Sequence, residues 1–303
     1  PRAIQSLKYF CENMPELHVI AAGSLLGVSI HEGVSFPVGK VNTLHLYPMS
    51  FSEYLRAVGE ERLADLIEEK NAGNPLVSDL SETFVPLLKD YYFVGGMPEA
   101  VRTYSETKDY ARTRSVLKNI LTILQADAGK YSRKKADKMK IVACMESIPS
   151  QLASDRRRFQ FVDIEKISGG RRRYEYALEW LINAGMAYRC YNLRSVDSPL
   201  SENIKETMFK VYLCDTGLLI GMMDDADPGA IVNSDPFSNN GIVMENAVAT
   251  ALVKKGFRLY YYAKEGSTLE VDFVINRTSI DLIEVKSGRS KRSKSLNVLL
   301  SEK

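Results

Sequence analysis

Along this chain the spacing of apolar side chains switches between the helical and the strand period, and the switches divide it into four stretches. Residues 1–48 read as the end of an α/β unit. Ile4, Leu7 and Phe10 are helix-spaced, Leu17–Ala22 is a short apolar run stopped by Gly23-Ser24, and Val41–Leu46 is a second run before Pro48. Both runs suit buried parallel strands. A parallel sheet needs more members and crossovers than these, so its bulk is expected upstream of Pro1, an expectation that the missing initiator Met reinforces. Residues 49–128 carry the helical period: Phe51, Tyr54, Leu55 and Val58, then Leu63, Leu66 and Ile67. Gly73-Asn74-Pro75 breaks it, a helix follows from Asp79 to about Tyr92, interrupted or started late by Pro86, Gly95-Gly96-Met97-Pro98 turns into the next, and Lys108–Leu124 is a further long helix.

Residues 129–205 open with a basic helix, Lys134–Ser147, and restart at Ile148–Leu152 with Pro149 and Ser150 at the mouth. A helix over Tyr174–Ala184, closed by Gly185, leads into Met186–Leu193, which is expected to form a hairpin with Phe209–Leu213. Helix, short helix, longer helix and β-ribbon is the order of a winged helix-turn-helix. Residues 206–303 are mixed, with a helix over Ile242–Lys255 and strands over Arg258–Tyr262, Leu269–Ile275 and Ser279–Val285.

Composition narrows the class. Hydrophobic content of 45% and charged content of 26% are those of a globular protein with a large core, and no apolar run is long enough to span a bilayer. Cys11, Cys144, Cys190 and Cys214 are scattered with no CxxC spacing, which reads as a reduced, cytoplasmic protein, and the three His are too dispersed for a zinc site. The net charge of +2 conceals an asymmetry: residues 48–110 hold 12 acids against 6 Lys/Arg, whereas residues 133–173 hold 12 Lys/Arg against 5 acids. The second segment is electrostatically suited to a polyanion.

The candidate chemistry lies near the C-terminal end. Strand alternation puts Leu269, Val271, Phe273 and Ile275 on one face and Glu270, Asp272 and Val274 on the other. In the next strand Ile280, Leu282, Glu284 and Lys286 fall together. Two paired strands would thus bring Asp272 and Glu284 together as ligands of Mg²⁺ or Mn²⁺, with Lys286 left to orient a water and offset phosphate charge. Glu245 lies on the apolar stripe of its helix with Val248, Ala249 and Leu252, where a carboxylate needs a pair or a metal; alternatively it complements the helix dipole in the first turn. Glu270 and Asp281 suit solvated strand charges. Catalytic candidates are therefore Glu245, Asp272, Glu284 and Lys286. Arg156, Arg157, Arg158, Arg171, Arg172 and Arg173 bracket the expected helix-turn-helix, and Arg289, Lys291 and Arg292 follow the Glu-x-Lys; all nine are candidate nucleic-acid contacts, although Arg173 can instead pair with Glu175 or Glu179.

These residues resemble the PD-(D/E)xK nucleases, archaeal Holliday-junction resolvases among them, in which a helix Glu, a strand Asp and a Glu-x-Lys fall in this order. More specifically, Ala22–Gly27, Leu46–Tyr54, Gly95–Ala100, Asp127–Tyr131, Ser147–Leu152, Ala177–Gly185, Leu213–Leu219, Glu270–Phe273 and Ile283–Gly288 resemble in order the predicted prokaryotic AAA+-type ATPases that carry domain of unknown function 4143. The resemblance implies a fold of class α/β and α. Its parts are a remnant of an α/β ATPase core (1–48), a helical lid (49–128), a winged-helix domain (129–205) and a restriction-endonuclease-like mixed sheet with flanking helices (206–303). It implies DNA as partner, a homo-oligomer through the ATPase core, and ATP as cofactor only in a longer chain with a P-loop; Ser24 resembles the sensor that reads the γ-phosphate. Two function classes stay open: a metal-dependent DNA nuclease module driven by the ATPase, or an inactive nuclease-like fold kept as a DNA- or protein-binding platform of an ATP-driven switch. The segment from Gly33 to Lys40 has five residues between its glycines, one too many for a P-loop, and Val41 stands where that loop needs Ser or Thr. The chain should accordingly show no ATP turnover; turnover abolished by Lys40→Ala would overturn this.

Overall fold

The computed structural model describes residues 2–23, 37, 39–71, 73–76, 78–131, 135–154, 158–165, 170–223, 241–264 and 269–286. Its first helix, α1 (Arg2–Asn13), is where the periodicity places it. The two strands expected over Leu17–Ala22 and Val41–Leu46 do not form. Among the described residues neither has a strand beside it, and a strand is held only by its neighbour's ladder. Ile20 (96% exposed) and Leu46 (101%) consequently stand in solvent.

The helical middle follows its local signals. Helix α2 (Phe51–Ala57) starts on a capping box in which Ser50 Oγ accepts from Glu53 N at 3.3 Å and Ser50 N donates to Glu53 Oε2 at 2.6 Å. Then come α3 (Glu61–Glu68), α4 (Ser78–Val94), α5 (Pro98–Thr107), which begins on its proline, and α6 (Tyr110–Tyr131). The break expected at Ile148 is absent: α7 (Lys135–Ala153) runs through Pro149 as one helix. An interior proline costs about 3 kcal/mol. The same stretch buries Met145, Ile148 and Leu152, each contributing about 1.5–3 kcal/mol. Ser147 Oγ and Ser150 Oγ also donate to the carbonyls of Cys144 (2.7 Å) and Ser147 (3.0 Å), so burial outweighs the proline. After α8 (Gly170–Asn183) the chain enters the sheet, and α9 (Thr216–Met222) and α10 (Gly241–Lys254) complete the described helices.

Five strands, β1 (Ala187–Leu193), β2 (Ile204–Leu213), β3 (Tyr260–Ala263), β4 (Glu270–Asn276) and β5 (Ile280–Ile283), form one mixed sheet in the order β2-β1-β3-β4-β5. Only β1 and β3 are parallel. The β1–β2 hairpin, expected as the ribbon of a separate winged unit, is thus half of the sheet that carries the candidate chemistry. The expected boundary at 205/206 falls inside β2. Among the described residues no helix is long and apolar enough to cross a membrane.

Two glycine-bearing turns, Gly95-Gly96 and Asp215–Gly217, meet the segment around Met49. Gly95 has a positive φ of 73° and ends α4, and Gly96 lies directly on the Met49 backbone, where Met49 N donates to Gly96 O at 2.7 Å. Asp215, 2% exposed, caps α9 through Leu218 N (3.0 Å) and accepts from Gly96 N at 2.6 Å. Lys254, at the end of α10, donates to Met49 O at 3.0 Å. A Cβ on Gly96 would overlap the Met49 backbone itself, which no side-chain rotation relieves. Gly96→Ala should therefore destabilise the fold by about 2–3 kcal/mol in urea unfolding; a loss below about 0.5 kcal/mol would show that the junction adapts.

Candidate functional site

The site is assembled where α10 crosses β2 and β4. Asn246 fixes the height of α10: its Nδ2 donates to Leu213 O (3.1 Å) and its Oδ1 accepts from Leu213 N (2.8 Å). The preceding residue, Glu245, is thereby buried (4% exposed) against β2, where strand alternation turns Lys210 and Tyr212 to the same face. Lys210 Nζ donates to Glu245 Oε1 at 2.8 Å, and Tyr212 OH donates to the same oxygen. Lys210 is itself 1% exposed, reaches Glu270 Oε1 at 2.8 Å and lies 4.9 Å from the centre of the Tyr261 ring. Burial pushes the ammonium's pKa down, but Glu245 and Glu270 more than reverse this and hold it above the ordinary lysine value. Of the two readings open for Glu245, pairing is the one observed, and the pair is a lysine. Glu270, expected as a solvated strand charge, is 40% exposed and also completes this triad; Asp281 pairs at the surface with Arg277 at 2.6 Å.

Asp272 owes its position to an irregularity. In the β3–β4 ladder Tyr262 pairs with Val271 but Tyr260 pairs with Val274, so β4 carries one extra residue. This corrects the simple alternation. Val271 and Val274 pack together with Tyr260 in one cluster, while Phe273 and Ile275 enter the main core with Tyr212 and Tyr261. Asp272, 8% exposed, accepts from Val285 N at 2.7 Å. Its pKa is pushed up to about 6, by burial first and then by the Glu245 and Glu284 charges, against the opposing pull of Lys210 and the Val285 N–H. The β4–β5 register pairs Phe273 with Ile283, so one further step sets Asp272 opposite Glu284. Glu284 Oε1 takes Lys286 Nζ at 2.6 Å, and Glu284 Oε2 is buried with no hydrogen-bond partner.

Of the expected set, then, Asp272, Glu284 and Lys286 are together and Glu245 adjoins them through its charge, but with its Oε1 committed to Lys210 and Tyr212. Among the described residues no three His, Cys, Asp or Glu are arranged to hold a metal ion. The donor pair that fits a divalent ion is Asp272 with Glu284, one crowded and the other carrying an oxygen without a donor. Lys210 and Tyr212 were missed from sequence. The signal was present: a lysine inside Met208-Phe-Lys-Val-Tyr-Leu-Cys214 is as anomalous as an aspartate inside the β4 run.

The basic candidates are separate from this cluster. Arg171, Arg172 and Arg173 form the exposed first turn of α8, with Arg171 paired to Glu175 at 3.0 Å and Arg173 to Glu165 at 3.3 Å. Glu179 pairs with Arg189 at 2.7 Å rather than with Arg173. Arg171 and Arg172 rim a cavity of about 640 Å³ walled by Phe159, Phe161 and Phe209. Arg158 is half-buried. Ser24, Arg156, Arg157, Arg289, Lys291 and Arg292 lie outside the described residues.

An α/β chain with a buried ion cluster at a helix–sheet crossing fits many functions, and the family comparisons narrow them. Residues 1–55 match an AAA domain, residues 85–228 match the domain of unknown function DUF8612, and residues 240–303 match the domain of unknown function DUF4143. The AAA and DUF4143 matches support an AAA-type ATPase-associated protein with DUF4143. No curated protein and no solved structure matches the chain.

The Asp272 carboxyl titrates near 6 in the folded chain against an ordinary value of 3.8, so the folded state holds more protons between those values. Stability of the metal-free protein should fall as pH rises from about 4 through 6. Asp272→Asn should remove that fall, making the variant more stable than wild type at pH 7 by on the order of 1–3 kcal/mol and equal to it below about pH 4. Parallel urea curves at the two pH values, with no gain at pH 7, would refute it.

Proposed function

We propose that the DUF4143 region is a PD-(D/E)xK nuclease-like fold in which Asp272, Glu284 and Lys286 act on DNA phosphodiesters with one Mg²⁺ or Mn²⁺, as the DNA-acting part of an ATPase-associated protein. The observation that carries this is the pairing of a buried Asp272 with a Glu284 whose Oε2 is buried without a donor. Such an oxygen is costly unless a cation or a water serves it. A bound divalent ion would polarise the phosphoryl group and acidify a water. The chain's own residues do the rest: Val285 N holds Asp272 in place, and Lys286, 43% exposed, sets a positive charge beside the two carboxylates.

The basic first turn of α8 supplies the DNA contact, with Arg172 and Arg158 as phosphate partners. Arg171 and Arg173 would have to exchange Glu175 and Glu165 for phosphate. ATP, and a homo-oligomer through the ATPase core, belong to a longer chain that includes a P-loop. A second reading, the inactive DNA- or protein-binding platform of an ATP-driven switch, is favoured by the 2.6 Å Lys286–Glu284 pair, which neutralises one of the two ligands.

Cleavage of branched and linear DNA in Mn²⁺ separates the two. The nuclease reading expects Asp272→Asn and Lys286→Ala each to lower the rate by roughly 100-fold or more with DNA affinity retained. A wild-type chain that binds DNA and Mn²⁺ without cutting supports the platform, and full cleavage in either variant places the activity elsewhere.

A further inference from the structure

We propose that Lys210 is the resident cation of the carboxylate cluster, a positioning residue that occupies Glu245 and Glu270, keeps Glu245 out of divalent-ion coordination and leaves Asp272 with Glu284 as the ion's carboxylates. Its metal-binding half rests on the reading above; its ion-pair half does not. Lys210 Nζ is 2.8 Å from both Glu245 Oε1 and Glu270 Oε1, in a side chain that is 1% exposed. Glu245 Oε1 also receives the Tyr212 hydroxyl, so that atom already has two donors.

The Lys210 side chain is 1% exposed, and of its two carboxylate partners only Glu270 reaches solvent. Cys190 is Lys210's partner across the β1–β2 ladder, Tyr261 lies under its charge, and both are buried. The backbone of β2 and the Asn246 clamp on Leu213 hold Lys210 and Glu245 at one height. An ion that took Glu245 as a ligand would have to sit beside a second buried cation, or leave the ammonium stranded in a low-dielectric interior. Lys286 differs: it is 43% exposed and free to swing from Glu284 towards solvent or phosphate. The two lysines thus have different work, one buried and permanent, the other exposed and displaceable.

Calorimetric Mn²⁺ titration of the whole chain tests the first half. Glu245→Gln should keep the wild-type affinity within about threefold, while Asp272→Asn should lose at least roughly tenfold. Lys210→Met, which frees Glu245 to join the ion, should bind Mn²⁺ about tenfold more tightly, a gain that a merely structural salt bridge would not produce. A loss in Glu245→Gln as large as in Asp272→Asn would make the helix carboxylate a ligand and overturn the proposal. Urea unfolding without metal tests the second half. Lys210→Met should be severely destabilised, and adding Glu245→Gln should recover most of the loss by removing the stranded carboxylate. If Lys210→Met alone fails to fold, a folded double variant is itself that recovery; absence of any recovery sinks the proposal. Recovery together with no Mn²⁺ binding by wild type would retire the metal reading of Asp272 and Glu284 and leave Lys210 as the cluster's cation.

Discussion

The buried Lys210–Glu245 contact joins the region matched as DUF8612, which supplies β2, to the region matched as DUF4143, which supplies α10. Taking two charges out of water costs several kcal/mol per ion, and only close geometry with further hydrogen bonds offsets this. Here the offset comes from Glu270, the Tyr212 hydroxyl and the face of the Tyr261 ring. Those partners hold only if α10 sits at one height on β2 and if β4 lies two strands beyond β1. The sheet order and the helix placement are thus bound to one ion cluster, and breaking either half would leave a charge uncompensated in the interior.

A second constraint lies at the other end of α10. Lys254 reaches the Met49 carbonyl, Tyr91 OH donates to that same carbonyl at 2.8 Å, and Gly96 bonds both Met49 and Asp215. Segments far apart in sequence converge on one peptide group near the end of the AAA-matched strip, residues 1–55. Burial raises the Asp215 carboxyl's pKa, while N–H donors from Gly96 and Leu218 favour its charge. Glycine is required where backbones touch: Gly96 against Met49, Gly217 against Val94. One helix, α10, is consequently pinned to the helical layer at its C-terminal end and to the sheet cluster near its start.

The carboxylate chemistry is exposed to view in the sequence because it violates burial rules. Asp272 within an apolar run and Glu245 on an apolar stripe are anomalies that demand a partner, and both are buried. Lys210 carries the same anomaly, but the strand period alone does not separate it from a surface charge. Helices α2 to α6 were legible from their period and from local signals: the Ser50–Glu53 capping box, the Pro98 start and the Gly95 turn. The break that Pro149 predicts does not form, because the burial of Met145, Ile148 and Leu152 exceeds the proline's local cost.

What the sequence by itself determined is whatever depends on near neighbours: helix spans and caps, turn glycines, and the adjacency of Glu284 to Lys286 two residues apart. Tertiary structure alone decided what depends on distant partners. Val41–Leu46 has the composition of a strand and stays unpaired among the described residues, because a ladder needs a neighbour that periodicity cannot supply. The β1–β2 hairpin joins β3 rather than standing apart as a wing, because its second ladder is made with residues some 70 positions away. The extra residue in β4 turns Asp272 and Phe273 away from strict alternation, and it is defined only by the register against β3. Which cation answers Glu245 was settled in the same way: β2 carries Lys210 across the fold to the buried face of α10, a meeting that neither stretch of sequence encodes alone.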